Sequence, residues 1–379
     1  MNIGILISLL FLGFSSSRII GEKENQVLQS YCGRTPFLQR RIINGKPLEA
    51  FENPWAVAAQ FQYYVQKDGK PKRLVMVFPG TVISPYHILT YNLVRSYDGV
   101  FGFQHKENMT SNGTCLGEHY FLPEEYTDRF DIIMDRSKFD MTRKFQDLVR
   151  RVIVINGCPD VNSAKVLILE LKKPLELNPS IWPVCISNDP QLFDRSSDFS
   201  VSGIDAKGVL NSGLFKPVNC SVEGPFSCAE AVDNKQRMCA YDSGGSAISN
   251  VSGQNTVLGV YVTGNMNCNA NPQNLTDFKF INIANHRESI CKLTGICVPD
   301  PERIDPTSSA LPPTPYEPVG YDGEVLTAEH FDPMRLNGSD PAESIRAERI
   351  DPMKLNGSAH HGEGVKKTVN IYINWNKKT

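Results

Sequence analysis

The chain has 379 residues, 41% hydrophobic and 9% aromatic, enough for one large domain or two to three small ones with a sizeable core. Its formal net charge of −2 carries no bias that points to nucleic acid or a charged surface as a partner.

Residues 1–17 read as a secretory signal peptide. The apolar run Ile3–Phe14 ends in Gly13-Phe14-Ser15-Ser16-Ser17. That is the length and small-residue ending of a cleaved leader, too short to span a bilayer, although no basic residue lies near Met1. No later apolar stretch approaches the ~18 residues of a membrane helix, so the expectation is a secreted chain with no membrane span.

Ten cysteines stand at 32, 115, 158, 185, 220, 228, 239, 268, 291 and 297. An even count behind a leader reads as a disulfide framework. No pair has the tight spacing of a zinc site, and neither a metal nor another cofactor is expected. Seven N-x-S/T sequons begin at Asn108, Asn112, Asn219, Asn250, Asn274, Asn337 and Asn356, all open to glycosylation in an extracellular protein.

From about Ile42 to Cys291 short β-like runs alternate with turns. Val75–Phe78, Val82–Ile83, Val152–Ile155, Val166–Leu169, Val257–Val262 and Phe278–Ile281 are the clearest. Runs of this length, rich in β-branched and aromatic residues, predict an all-β sandwich or barrel. Ile283–Leu293 reads as a terminal helix, and His105–Arg151 as a polar insert without a periodic pattern. After Cys297 the chain turns Pro-rich and reads as an extended linker and disordered tail. Within it Phe331–Ser339 recurs as Ile350–Ser358 at an offset of 19 residues, too few copies for a solenoid. The terminal Val369–Trp375 alternates and could add as a strand to a partner.

The string with chemistry in it is Cys239-Ala240-Tyr241-Asp242-Ser243-Gly244-Gly245-Ser246. A serine nucleophile needs an exposed Oγ in a tight turn, with backbone N–H groups aimed at the developing oxyanion. Glycines let the backbone take that turn. Upstream lie Arg40-Arg41-Ile42-Ile43-Asn44-Gly45, Pro54-Trp55-Ala56-Val57, Gly80-Thr81-Val82-Ile83-Ser84, Leu169–Pro174 and Trp182–Ile186. Gly259–Val262 and Phe280–Ile283 follow. In this order the landmarks resemble the trypsin-like (chymotrypsin-fold) serine proteases, in the style of their nematode branch, over about residues 32–293.

The resemblance implies two antiparallel six-stranded β-barrels with a C-terminal helix. It divides the chain into a propeptide or light segment at 18–41, a protease-like domain at 42–298 and the tail at 299–379. It makes Arg41 the activation cut, Ile42 the new N-terminus and Asp242 the carboxylate that pairs with its ammonium. It implies the disulfides Cys32–Cys185, Cys220–Cys228 and Cys239–Cys268, leaving Cys115–Cys158 and Cys291–Cys297.

The same resemblance shows what is missing. Counting from Gly80, the general-base histidine falls on Leu93, and its usual cysteine neighbour on Val94. A slip of one residue gives Asn92, which is no base, and His87 lies six residues earlier. The triad carboxylate falls on Lys165, with Asp160 five residues upstream. Tyr241 replaces the oxyanion-hole glycine, and Arg237 stands at the base of the specificity pocket. Without triad members only ~10³–10⁴-fold acceleration over water survives in the template enzymes. The expected function is a secreted, proteolytically inactive homologue that binds or regulates an extracellular protein. The alternatives are an active endopeptidase using Ser243 with a rearranged base, or a tail that carries the function on a barrel scaffold.

Overall fold

The computed structural model describes residues 18–34 and 52–298, apart from loops at 68–69, 98–99, 104–106, 109–112, 134–144, 163–164, 205–208, 222–223, 234–235, 240–241 and 264–276. The leader, the activation segment with Arg41 and Ile42, and the tail lie outside these residues. The chain divides into units Met1–Tyr316 and Glu317–Thr379, and the second lies wholly outside the described residues.

The first sheet is built on β1 (Ala56–Lys67), β2 (Lys70–Ser84) and β3 (His87–Tyr91). Next in the chain come β4 (Val94–Tyr97), β5 (Val100–Phe103) and β6 (Glu107–Asn108), which form a small sheet of their own. The strands β7 (Thr114–Leu116), β8 (His119–Phe121), β9 (Phe130–Ile133), β10 (Val149–Val154) and β11 (Val166–Leu171) complete the first sheet in the order β7-β8-β10-β11-β3-β2-β1-β9. The second sheet uses β12 (Cys185–Ile186), β13 (Phe199–Ile204), β14 (Leu210–Val218), β15 (Ser227–Ala231), β16 (Ser246–Val251), β17 (Gln254–Thr263) and β18 (Phe278–Asn282). Its order is β12-β17-β16-β13-β14-β15-β18, and β18 pairs back onto β17. That return closes a six-stranded antiparallel barrel and leaves it no free edge.

Period-two alternation sorts the side chains of buried strands between two cores. In β11, Leu167, Leu169 and Leu171 enter the core of the first sheet, while Val166 and Ile168 enter a core shared with the second sheet. Val152 and Val154 of β10 divide from Ile153 in the same way. The barrel interior is aromatic, with Phe193, Phe199, Phe215, Tyr261, Phe278 and Phe280 in one cluster. Phe193 and Phe199 lie 4.9 Å apart between ring centroids, a spacing that adds to simple area burial.

Among the described residues three α-helices accompany the strands: α1 (Glu22–Tyr31), α2 (Leu192–Arg195) and α3 (Arg287–Thr294). A 3₁₀ turn over Ile283–His286 leads into α3, so the predicted terminal helix is present in this two-part form. It stops at Gly295, whose φ of 77° is left-handed. A Cβ there would come within 2.1 Å of the Ile20 carbonyl oxygen, so the close approach of the N-terminal segment also demands glycine. The insert expected to lack pattern holds β6 to β9 and a 3₁₀ turn at Glu124–Arg129.

Residues 18–34 are part of this body. Cys32 is bonded to Cys185, and the backbone of Gly33 donates to Pro183 at 2.8 Å and accepts from Asn255 at 2.9 Å. The Asn25 amide donates to the Cys297 carbonyl at 2.7 Å, and the Ile20 N–H to Thr294 at 2.9 Å. Cys115–Cys158, Cys220–Cys228 and Cys291–Cys297 are also bonded as expected. Cys239 is in a disulfide, and its expected partner Cys268 lies outside the described residues.

Candidate functional site

Ser243 sits on the loop entering β16. The turn is closed by the Asp242 N–H on the Cys239 carbonyl at 3.0 Å and by the Gly245 N–H on the Asp242 carbonyl at 2.9 Å. Two bonds to Tyr261, from the Gly244 N–H at 2.9 Å and onto the Gly245 carbonyl at 2.8 Å, stitch the loop to β17. Gly244 has φ 105°, and a Cβ on it would stand 2.3 Å from Thr90 Oγ1 and 2.5 Å from the Pro79 carbonyl. The loop therefore presses against β2 at Pro79 and the end of β3, and only glycine permits that approach. Thr81 Oγ1 donates to Ser246 Oγ at 2.7 Å in a buried bond between the two sheets.

The Ser243 hydroxyl donates to the Val262 carbonyl at 2.8 Å. Asp242 is 9% exposed and each of its carboxylate oxygens accepts a backbone N–H. Oδ1 accepts the Ile204 N–H at 2.8 Å and Oδ2 the Cys239 N–H at 2.6 Å. Such charge-assisted bonds are short and strong. Burial, with the Asp242 charge second, pushes the Tyr261 phenol up, so that neighbour stays neutral. Asp242 lines a cavity of about 430 Å³ with Gly203, Asn211, Asp233, Gln236 and Arg237. The Arg237 expected at a pocket base is thus on the wall of a cavity, beside acidic neighbours. Tyr241 lies outside the described residues.

Leu93, the expected replacement of the base, is 2% exposed and packs in the core of the first sheet with Val94 and Val161. An apolar side chain at this place goes inward, where its burial contributes about 2 kcal/mol. Asn92 is fully engaged: its amide donates to the Val161 and Val94 carbonyls at 2.9 and 3.1 Å, and its Oδ1 accepts the Val94 N–H at 2.9 Å. The Asn92 N–H donates to the Lys165 carbonyl at 3.0 Å. This bond brings the segments carrying Leu93 and Lys165 side by side. Asp160 is exposed and accepts the Asn162 N–H at 2.8 Å, a local turn contact.

Three histidines fall among the described residues, and none is bonded to Ser243. His87 is fully buried at the far end of β3, with Nδ1 2.7 Å from Ser84 Oγ. Burial, then the Arg151 charge, push it down to about 3. His119 accepts the Asn156 N–H at 3.2 Å, and burial lowers it too. His286 is the one near the expected carboxylate position. Burial, then the charge of Lys165, push it down.

The described residues hold no group of three His, Cys, Asp or Glu that could bind a metal, and no helix among them is long and apolar enough to cross a membrane. Asn219 and Asn250 are exposed, and the Asn108 backbone lies in β6. Asn112, Asn274, Asn337 and Asn356 lie outside the described residues.

Sequence reasoning found the loop and missed its acceptor. The Val262 carbonyl is a backbone group whose direction depends on how β17 meets the loop. Thr90 was within reach of inference, since it lies three residues before Leu93 on a strand aimed at the loop.

Among solved structures, the scabies mite inactivated protease paralogue S-I1 matches at 16% identity and a TM-score of 0.44, over 66% of this chain and 98% of its own. No curated protein matches. The model of the nematode trypsin-6-like family matches residues 2–297, most of the chain. The chain belongs to the nematode trypsin-6-like family.

Proposed function

We propose that this protein is a secreted, proteolytically inactive serine-protease homologue that acts as a binding or regulatory module for an extracellular protein. The observation that carries the reading is the Ser243 hydroxyl donating to the Val262 carbonyl, with no base bonded to it among the described residues. Acyl transfer needs a proton acceptor within hydrogen-bond reach of that oxygen, itself oriented by a carboxylate. Leu93 cannot take a proton, and Lys165 would repel an imidazolium rather than stabilise it.

Secretion is supported by the apolar leader and by disulfides that persist in oxidising compartments. In this reading the domain runs over residues 42–298, preceded by the light segment 18–41 and followed by the tail 299–379. A cut after Arg41 frees the Ile42 ammonium, and Asp242 beside its cavity is the carboxylate to receive it. The cleavage-responsive part of the fold is kept while proton transfer is lost. Arg237 disfavours basic side chains in the adjoining pocket.

A fluorophosphonate probe tests the inactive reading. Absence of labelling on the secreted protein, before and after cleavage at Arg41, is expected. Stoichiometric labelling that disappears in Ser243→Ala would overturn it and leave the active endopeptidase in its place. Deleting residues 299–379 separates a scaffold role of the barrels from a function of the tail. Loss of every partner in that deletion would move the function to the tail.

A further inference from the structure

Glu170 lies within β11 and is wholly buried, yet it is a charged residue with no part in the Ser243 site. It sits in register with His87 of β3. Two cations from β10 reach it. Arg151 engages Oε2 through Nε at 3.0 Å and through its terminal nitrogen, and Arg150 Nε is 3.7 Å from Oε1. The third donor comes from 152 residues away: the backbone nitrogen of Arg18 donates to Oε1 at 3.1 Å. The Arg18 guanidinium turns aside, stacking 4.5 Å over the Tyr86 ring and pairing with Glu24 at 2.6 Å. The chain then continues through Ile20, bonded to Thr294, into α1 and the Cys32–Cys185 bridge.

Arg18 is also the first residue after the leader, with the small residues Ser15 and Ser17 three and one positions before the scissile bond. We infer that Glu170 is a built site for an α-ammonium group, and that its ligand is the N-terminus created at Arg18 when residues 1–17 are removed. The inference rests on the secretion proposed above. A signal peptidase adds water across the Ser17–Arg18 amide. The water oxygen stays on the Ser17 carboxylate, and its two protons complete the ammonium on the Arg18 nitrogen. A peptide N–H facing a buried carboxylate then becomes a cation facing it. The bond changes from a neutral donor to a charge-assisted pair, roughly twice as strong. Removal of the leader thereby fastens residues 18–34 to the domain from their first atom, independently of any cut at Arg41.

The experiment uses the full chain recovered from the medium of secreting cells. Intact mass and N-terminal sequencing should give a start at Arg18 with a free amine. At pH 7 that amine should react with an acylating reagent about tenfold more slowly than in Glu170→Gln, because an opposite charge at contact holds it protonated. Inserting Gly-Ser between Ser17 and Arg18, with the new start verified by mass, keeps Glu170 and moves the ammonium away. It should lower the melting temperature of the wild type by a few degrees and leave that of Glu170→Gln unchanged. If Glu170→Gln does not fold, the inserted variant alone decides, by a lowered or an unchanged melting temperature. Equal acylation rates, or a start other than Arg18, would overturn the site while leaving secretion intact. Failure to reach the medium would remove both.

Discussion

The Ser243 hydroxyl is held on the Val262 carbonyl at 2.8 Å, so this side chain ties its loop to β17. Ser243→Ala removes that tie and, on the inactive reading proposed above, nothing catalytic. A half-buried neutral hydrogen bond contributes about 1 kcal/mol. The variant should therefore fold, with an unfolding free energy lowered by that amount in a urea titration and partner binding unchanged.

On the inactive reading proposed above, placing histidine and aspartate at the expected base and carboxylate positions should not create activity. Leu93 is 2% exposed inside the core of the first sheet. A histidine there replaces apolar packing with a polar ring, at a cost of about 2–4 kcal/mol. Leu93→His with Lys165→Asp should lower thermal stability by several degrees and gain no fluorophosphonate labelling. Labelling in that double variant would show that the cleft geometry survives around Ser243.

Asp242 is the more demanding member of the loop. Its two carboxylate oxygens satisfy the N–H groups of Ile204 and Cys239. Asp242→Ala leaves both donors without their anion, a loss of about 2–4 kcal/mol. Asp242→Asn keeps one acceptor oxygen and should fall about midway. Urea denaturation of the two variants measures the difference.

These relationships were legible in the sequence to unequal degrees. β10, β11, β17 and β18 are read easily because both of their faces are buried or nearly so, which forces long apolar runs. α1 was not, because only Asn25 and Leu28 of it are buried, and its other residues carry no stripe. β7 is exposed along its whole length, so no hydrophobic alternation marks it. The Ser243 loop was readable because its glycines answer to steric demands that only glycine meets. Its hydrogen-bond acceptor was not, since any carbonyl of β17 would look the same in sequence. Glu170 sat inside an apolar strand run in plain view. Its role depends on Arg151 across the sheet and on Arg18 at the other end of the domain, a juxtaposition that no local pattern encodes.

The Cys32–Cys185 bridge spans 153 residues and joins the segment before Arg41 to the body. Cutting after Arg41 should leave residues 18–41 attached, so the mass by electrophoresis should drop only after reduction. Cys32→Ser opens a long loop in the unfolded chain and should cost about 3–5 kcal/mol, measured by thermal melting. Release of the light segment without reduction from Cys32→Ser cut after Arg41, but not from the wild type cut at the same bond, completes the test.

His87 makes stability fall with acid. Its ordinary value of 6.5 is pushed down to about 3 by burial first and by the Arg151 charge second. The groups around it are Ser84 on its Nδ1, Glu170 in register, and Arg18 and Arg151 from the adjoining segments. Between these two values the unfolded chain binds a proton that the folded chain does not. Stability is then fully present above about 6.5 and is lost as the pH falls toward 3, by up to about 1.4 kcal/mol per pH unit. His119 and His286 are lowered in the same direction and add to the slope. His87→Gln removes one titrating site. Its unfolding free energy, measured between pH 7 and 4, should fall less steeply than that of the wild type by close to one proton. An unchanged slope would mean that His87 is not held neutral in the folded protein.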